Sequence, residues 1–135
     1  MKSPLQLVNV ESDTVIVPQL KLAATFWTRF RGLQFRRELP IGEGLLIAPC
    51  RSIHTHWMRF AIDVVMIDVQ GVVLKVQPNL RAWRTCAGPS GTRFVLEVPA
   101  ETTRLKIGDQ IAIRQDGKTG QTSLPAVVHS LLSEA

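Results

Sequence analysis

The 135-residue chain, 15.0 kDa with 45% hydrophobic and 20% charged residues, is long enough to bury one hydrophobic core. Its composition is too ordinary for a disordered, collagenous or disulfide-stapled protein. A net charge of +5, with 16 basic residues, permits an anionic partner, but no basic run interleaved with aromatics accompanies it, so nucleic acid is not expected. No apolar run approaches the roughly 18–20 residues of a membrane span, and the first residues lack the apolar stretch of a secretory signal. A cytoplasmic location without a membrane span is expected, with Cys50 and Cys86 as reduced thiols.

Leu5 to Val10 and Thr14 to Pro18 are apolar runs broken by Glu11-Ser12-Asp13, the pattern of a β-hairpin. From Leu22 the period lengthens. Leu22, Ala23, Phe26, Trp27 and Phe30 recur at three and four residues and Gly32 supplies a stop, which predicts the main helix of the domain. Gly44 to Ala48 reads as a strand buried on both faces. Ile62 to Asp68, then Val69-Gln70-Gly71, then Val72 to Val76 is a second strand-turn-strand pattern. Arg93 to Val98 and Asp109 to Arg114 predict two further strands, with a helical turn between them around Glu101 to Lys106. The expected domain covers residues 1–114, followed by a polar tail over 115–135 with a short helix around Leu124 to Leu132.

Chemistry-bearing side chains concentrate between Cys50 and Asp63, where His54, His56, Trp57, Met58 and Arg59 fall together. In an extended chain Cys50, His54, His56 and Met58 share one face. Thiolate, imidazole and thioether are the ligands of a soft metal site, but a flat strand spreads these four beyond one coordination shell, so no metal site is expected. A Cys50–His54 nucleophile and base is the catalytic reading. Met58 reads as core filling, and Arg59 with Asp63 as a structural ion pair. A second cluster, Arg81-Ala82-Trp83-Arg84, sits in a loop rich in turn residues; folded over the histidines it makes a cationic, aromatic-walled pocket.

Arg31-Gly32-Leu33, Gly44-Leu45-Leu46-Ile47, Cys50-x-Ser52-Ile53-His54-Thr55, Met58-Arg59-Phe60, Ile62-Asp63-Val64-Val65-Met66-Ile67-Asp68, Val95-Leu96-Glu97-Val98-Pro99-Ala100 and Gly108-Asp109 follow one another in an order that resembles the family known as domain of unknown function 192. The resemblance spans about residues 20–114 and implies a compact, β-rich, barrel-like domain with a helix. It brings no activity or catalytic residue with it. Relatives often carry an export or anchoring segment before this domain, and many have other residues at Cys50 and His54.

The expected fold is α+β: a strongly bent antiparallel sheet or small barrel of six to eight strands with one main helix. The expected function is a ligand-binding or accessory module that uses His54, His56, Trp57, Arg59, Arg81 and Trp83 to hold a small anionic or polar ligand, without a cofactor. A Cys50–His54 hydrolase or transferase and a module gripping a protein partner are the alternatives.

Overall fold

The computed structural model of the chain describes residues 5–23, 38–115 and 122–123. Among the described residues ten strands run in order: β1 (Leu5–Asn9), β2 (Thr14–Ala23), β3 (Glu43–Ile47), β4 (Ser52–His54), β5 (Ile62–Asp68), β6 (Val73–Leu80), β7 (Thr85–Ala87), β8 (Thr92–Pro99), β9 (Ile111–Gln115) and β10 (Thr122–Ser123). Eight form one sheet in the order β10-β9-β1-β2-β3-β8-β5-β6, and β4 pairs with β7 in a small second sheet.

The expected α+β class is corrected by this arrangement. Among the described residues the protein is all-β, and the sheet is mixed because β2 and β3 run parallel. Leu22 and Ala23, read as the start of the main helix, pair in β2 with Leu46 and Ile47. They continue the alternation of Leu20 and extend the hairpin strand past Pro18; burial against a neighbouring strand overrides a short 3.6-residue pattern. The remainder of that predicted helix and the tail helix lie outside the described residues. Among the described residues the sheet is not a closed barrel: no ladder joins β6 to β9 or β10, and the segments leading into β6 and β9 touch at an isolated bridge, Val72 to Gln110, with amide-to-carbonyl bonds from Val73 to Asp109, Gly108 to Val73 and Ile111 to Gly71. The predicted helical turn at 101–106 is an irregular loop instead, and the Asp63 carboxylate holds its first amides.

Local chemistry explains the hairpins. The Asn9 carboxamide oxygen accepts the amides of Glu11 and Ser12, turning β1 into β2. Asp68 Oδ1 accepts the amides of Gln70 and Val72 at 2.9 Å, and Gly71 takes the positive φ of 87° that this tight turn requires.

The sheet has an apolar core on each side, which is why β5 reads as a continuous apolar run. Val65 and Ile67 face Leu7, Leu46, Phe94, Leu96 and Ile111, whereas Ile62, Val64 and Met66 face Met58, Leu80, Cys86 and Val95. The small β4–β7 sheet lies over the second core, where Ile53 and Cys86 are direct register partners.

Candidate functional site

The chain leaves extended structure after His54, and one buried threonine ties the segment beyond it to the rest of the domain. Thr55 is fully buried; its hydroxyl donates to the Arg81 carbonyl and accepts the Arg84 amide at 2.9 Å. Its own amide donates to the Arg84 carbonyl at 2.8 Å, and its carbonyl accepts the amides of Trp83 and Met58. This clamp joins the His-Trp segment to the Arg-Trp-Arg loop through a residue that the sequence pattern passed over.

The clamp brings four of the expected site residues into a ladder of rings. His54 and His56 lie 4.7 Å apart between centroids, His56 and Trp83 5.1 Å, and Trp57 meets Trp83 edge-to-face at 4.8 Å. The indoles of Trp57 and Trp83 remain 55% and 54% exposed, well beyond what core anchoring gives. Both tryptophans adopt positive φ, 68° and 63°. A bulky side chain in that region costs on the order of 1–2 kcal/mol, so the Thr55 bonds hold both rings against a local preference for turning elsewhere. Arg59, Arg81 and Arg84 are exposed around the ladder in sequence.

Met58 departs from the face shared by the histidines: it is buried in the second core, while His54 is exposed. Period-two alternation stops at Thr55 because β4 is only three residues long. Cys50 is half-buried beside the same core, and its thiol donates to the Ser52 carbonyl at 3.1 Å. Among the described residues, no three His, Cys, Asp or Glu side chains are grouped as a metal-ligand set.

The expected Arg59–Asp63 ion pair is replaced by a different structure. Asp63 is fully buried and accepts four backbone amides: Asn79 at 2.8 Å and Glu101 at 3.0 Å on Oδ1, Thr102 at 3.1 Å and Thr103 at 3.0 Å on Oδ2. Its register partner on β8 is Val98, so the carboxylate reaches past the strand ends and organises the 99–103 turn. Four directed amides satisfy a buried carboxylate without a cation, and Arg59 stays at the surface.

The same architecture is found in known proteins. The family model of domain of unknown function 192, described as "Uncharacterized ACR", matches residues 7–113, from β1 to β9. The chain belongs to the DUF192 family. A UPF0127 protein from Thermococcus sibiricus is 27% identical over 133 residues, covering 93% of this chain and 84% of the relative. The DUF192 fold recurs in a solved structure of a protein of unknown function from Novosphingobium aromaticivorans, at TM-score 0.68 and 20% identity over 80% of this chain and 82% of that one. A solved structure from Sinorhizobium meliloti is similar at TM-score 0.69 and 19% identity, covering 82% and 92%. These likenesses establish the fold and assign no activity.

Two polar residues of this DUF192 domain escaped sequence reasoning. Thr55 sits beside two histidines that draw attention first; only its burial marks it. Glu97 is 4% exposed within β8, opposite Leu45 on β3 and Val64 on β5, and among the described residues its Oε2 has no hydrogen-bond partner. Burial pushes its carboxyl up to about 7. A Glu in the strand Phe94-Val95-Leu96-Glu97-Val98 is a signal in itself, since alternation puts it on the face of Val95. Among the described residues, no helix is long and apolar enough to cross a membrane.

The clamp yields a direct expectation. Thr55→Val keeps the volume but removes a hydroxyl that serves two backbone groups, so it should cost about 2–3 kcal/mol in urea unfolding. Release of the 81–84 loop should also shift tryptophan emission to the red. Unchanged emission with full stability would show that the clamp does not hold the loop.

Proposed function

We propose that this DUF192 domain is a non-enzymatic binding module that receives a small anionic ligand with a flat face on the His54–His56–Trp83–Trp57 ladder. The observation that carries the reading is the pair of half-exposed indoles, both held in left-handed backbone by bonds to one buried threonine or its turn. Strained, exposed aromatic residues need a reason beyond packing. Arg59, Arg81 and Arg84 supply donors to the anionic end, because a guanidinium offers a planar fork to carboxylate or phosphate.

The test is a tryptophan-fluorescence and thermal-shift titration against carboxylic acids, phosphorylated metabolites and nucleotides. One class should quench emission saturably and raise the melting temperature with concentration. Trp83→Ala should weaken that binding about 5- to 100-fold, the range expected for loss of a ~1–3 kcal/mol stacking contact. Saturable binding that Trp83→Ala leaves intact, or silence across all three classes, would overturn the reading.

A further inference from the structure

A second cationic feature lies at the opposite end of β4 from the ladder. Along the β5–β8 pairing, Ile67 faces Phe94 and Asp68 faces Thr92, so Arg93 is the extra residue of a β-bulge. Bulges re-aim a side chain and free backbone groups from the ladder. The Arg93 carbonyl accepts the Cys50 amide at 2.8 Å, which draws the 48–51 segment alongside and sets Arg51 next to the bulge. Gly88 donates its amide to the Arg51 carbonyl at 2.8 Å, and the Thr92 hydroxyl closes the intervening turn on the Pro89 carbonyl at 2.7 Å. Gly88 cannot carry a side chain here: a Cβ would come within 2.2 Å of the Thr92 hydroxyl oxygen.

The product is a surface cavity of about 370 Å³ lined by Arg51, Val69, Gly91, Thr92 and Arg93. Two arginines and no acidic residue are among the described residues that line it. Among the described residues, neither arginine side chain has an ion pair or hydrogen bond. The nearest acid along the pairing, Asp68 opposite Thr92, has its Oδ1 taken by the amides of its own turn. Two like charges gathered at one cavity repel each other until an anion enters between them, and two forks suit a dianion with several acceptor oxygens better than a single carboxylate. Val69, 43% exposed on the rim, offers apolar contact to whatever the anion is attached to.

We propose that Arg51 and Arg93 form an oxyanion site for the terminal phosphate of a phosphomonoester, separate from the aromatic ladder. The site is built by the bulge at Arg93 and the Arg93–Cys50 backbone bond, and it does not depend on the ladder binding anything. Calorimetric titration of the full chain with glycerol 3-phosphate tests it, at fixed ionic strength set by sodium chloride, with inorganic phosphate and sodium acetate in parallel. The expected result is saturable binding of the ester, at least as tight as inorganic phosphate and at least tenfold tighter than acetate. Arg51→Ala and Arg93→Ala should each weaken it tenfold or more with unchanged circular dichroism, while Lys106→Ala, which removes an exposed cation elsewhere on the surface, leaves it unaltered. Absence of saturation above the chloride background, acetate binding as tightly as the ester, exclusion of the ester while free phosphate binds, or survival of binding in either arginine variant would each overturn the proposal.

Discussion

Asp63→Ala is expected to lower stability by about 4 kcal/mol, a large share of the roughly 5–15 kcal/mol that holds a typical domain folded. The substitution strips four backbone amides of their acceptor at a position with no solvent access, and each buried unsatisfied donor costs on the order of 1–3 kcal/mol before relaxation. Asp63→Asn should recover little of the loss. Its carboxamide keeps one acceptor oxygen and turns an NH₂ group toward amides that also donate. Urea denaturation followed by circular dichroism measures both, and a loss under 1 kcal/mol for the alanine variant would show that water replaces the carboxylate. Because Asp63 joins β5 to Asn79 of β6 and to the 101–103 loop, hydrogen exchange in that loop should rise first in the asparagine variant.

Glu97 is expected to act in the opposite sense, as a residue whose replacement stabilises. Its carboxyl is raised from 4.5 to about 7 by burial, so between those values the folded chain keeps a proton that the unfolded chain has released. The unfolded state then binds fewer protons, and stability falls as pH rises. The contribution is fully present below pH 4.5, declines through the window to about 7, and is flat above it. At 1.36 kcal/mol per pH unit the change is about 3 kcal/mol. Glu97→Met, which suits the apolar face shared with Val95, should remove this slope, so the variant's advantage over the native chain grows by about 3 kcal/mol from pH 4.5 to 8. Denaturant midpoints at the two values measure it. Parallel stability curves for the two proteins would show that the carboxyl ionises at its ordinary value through water that reaches the strand. The Lys21 ammonium does not serve Glu97, since it bonds to Glu43 at 3.0 Å. Retention of an unsatisfied acid in the middle of a sheet, where methionine or leucine fits, sacrifices stability.

Much of the sheet was legible because strand signals are local. The turn chemistry of Asn9 and Asp68, the run Gly44-Leu45-Leu46-Ile47 and the apolar stretch of β5 each require only neighbouring residues to be read. The start of the helix at Leu22 is misread for the converse reason. The partner that makes Leu22 and Ala23 extended is β3, more than twenty positions away, and a parallel pairing leaves no turn signature in the sequence. The candidate site divides in the same way. Two histidines, a tryptophan and an Arg-Trp-Arg loop are conspicuous as residue types, whereas their stacking depends on Thr55, an ordinary residue until its burial and its contacts with Arg81, Trp83 and Arg84 are known.

By itself the amino-acid sequence determined a small β-rich domain, the positions of most strands, the family and the two loops that carry unusual side chains. Tertiary structure alone decided how those loops meet, that Asp63 binds amides and not Arg59, that Glu97 is stranded in an apolar face, and that a bulge sets Arg93 beside Arg51. The physical reason is range. Strand and turn preferences act over two to five residues, whereas the long-range hydrogen bonds of Thr55, Asp63 and the Arg93 carbonyl span sixteen to forty-three positions and form only when the sheet has brought their ends together.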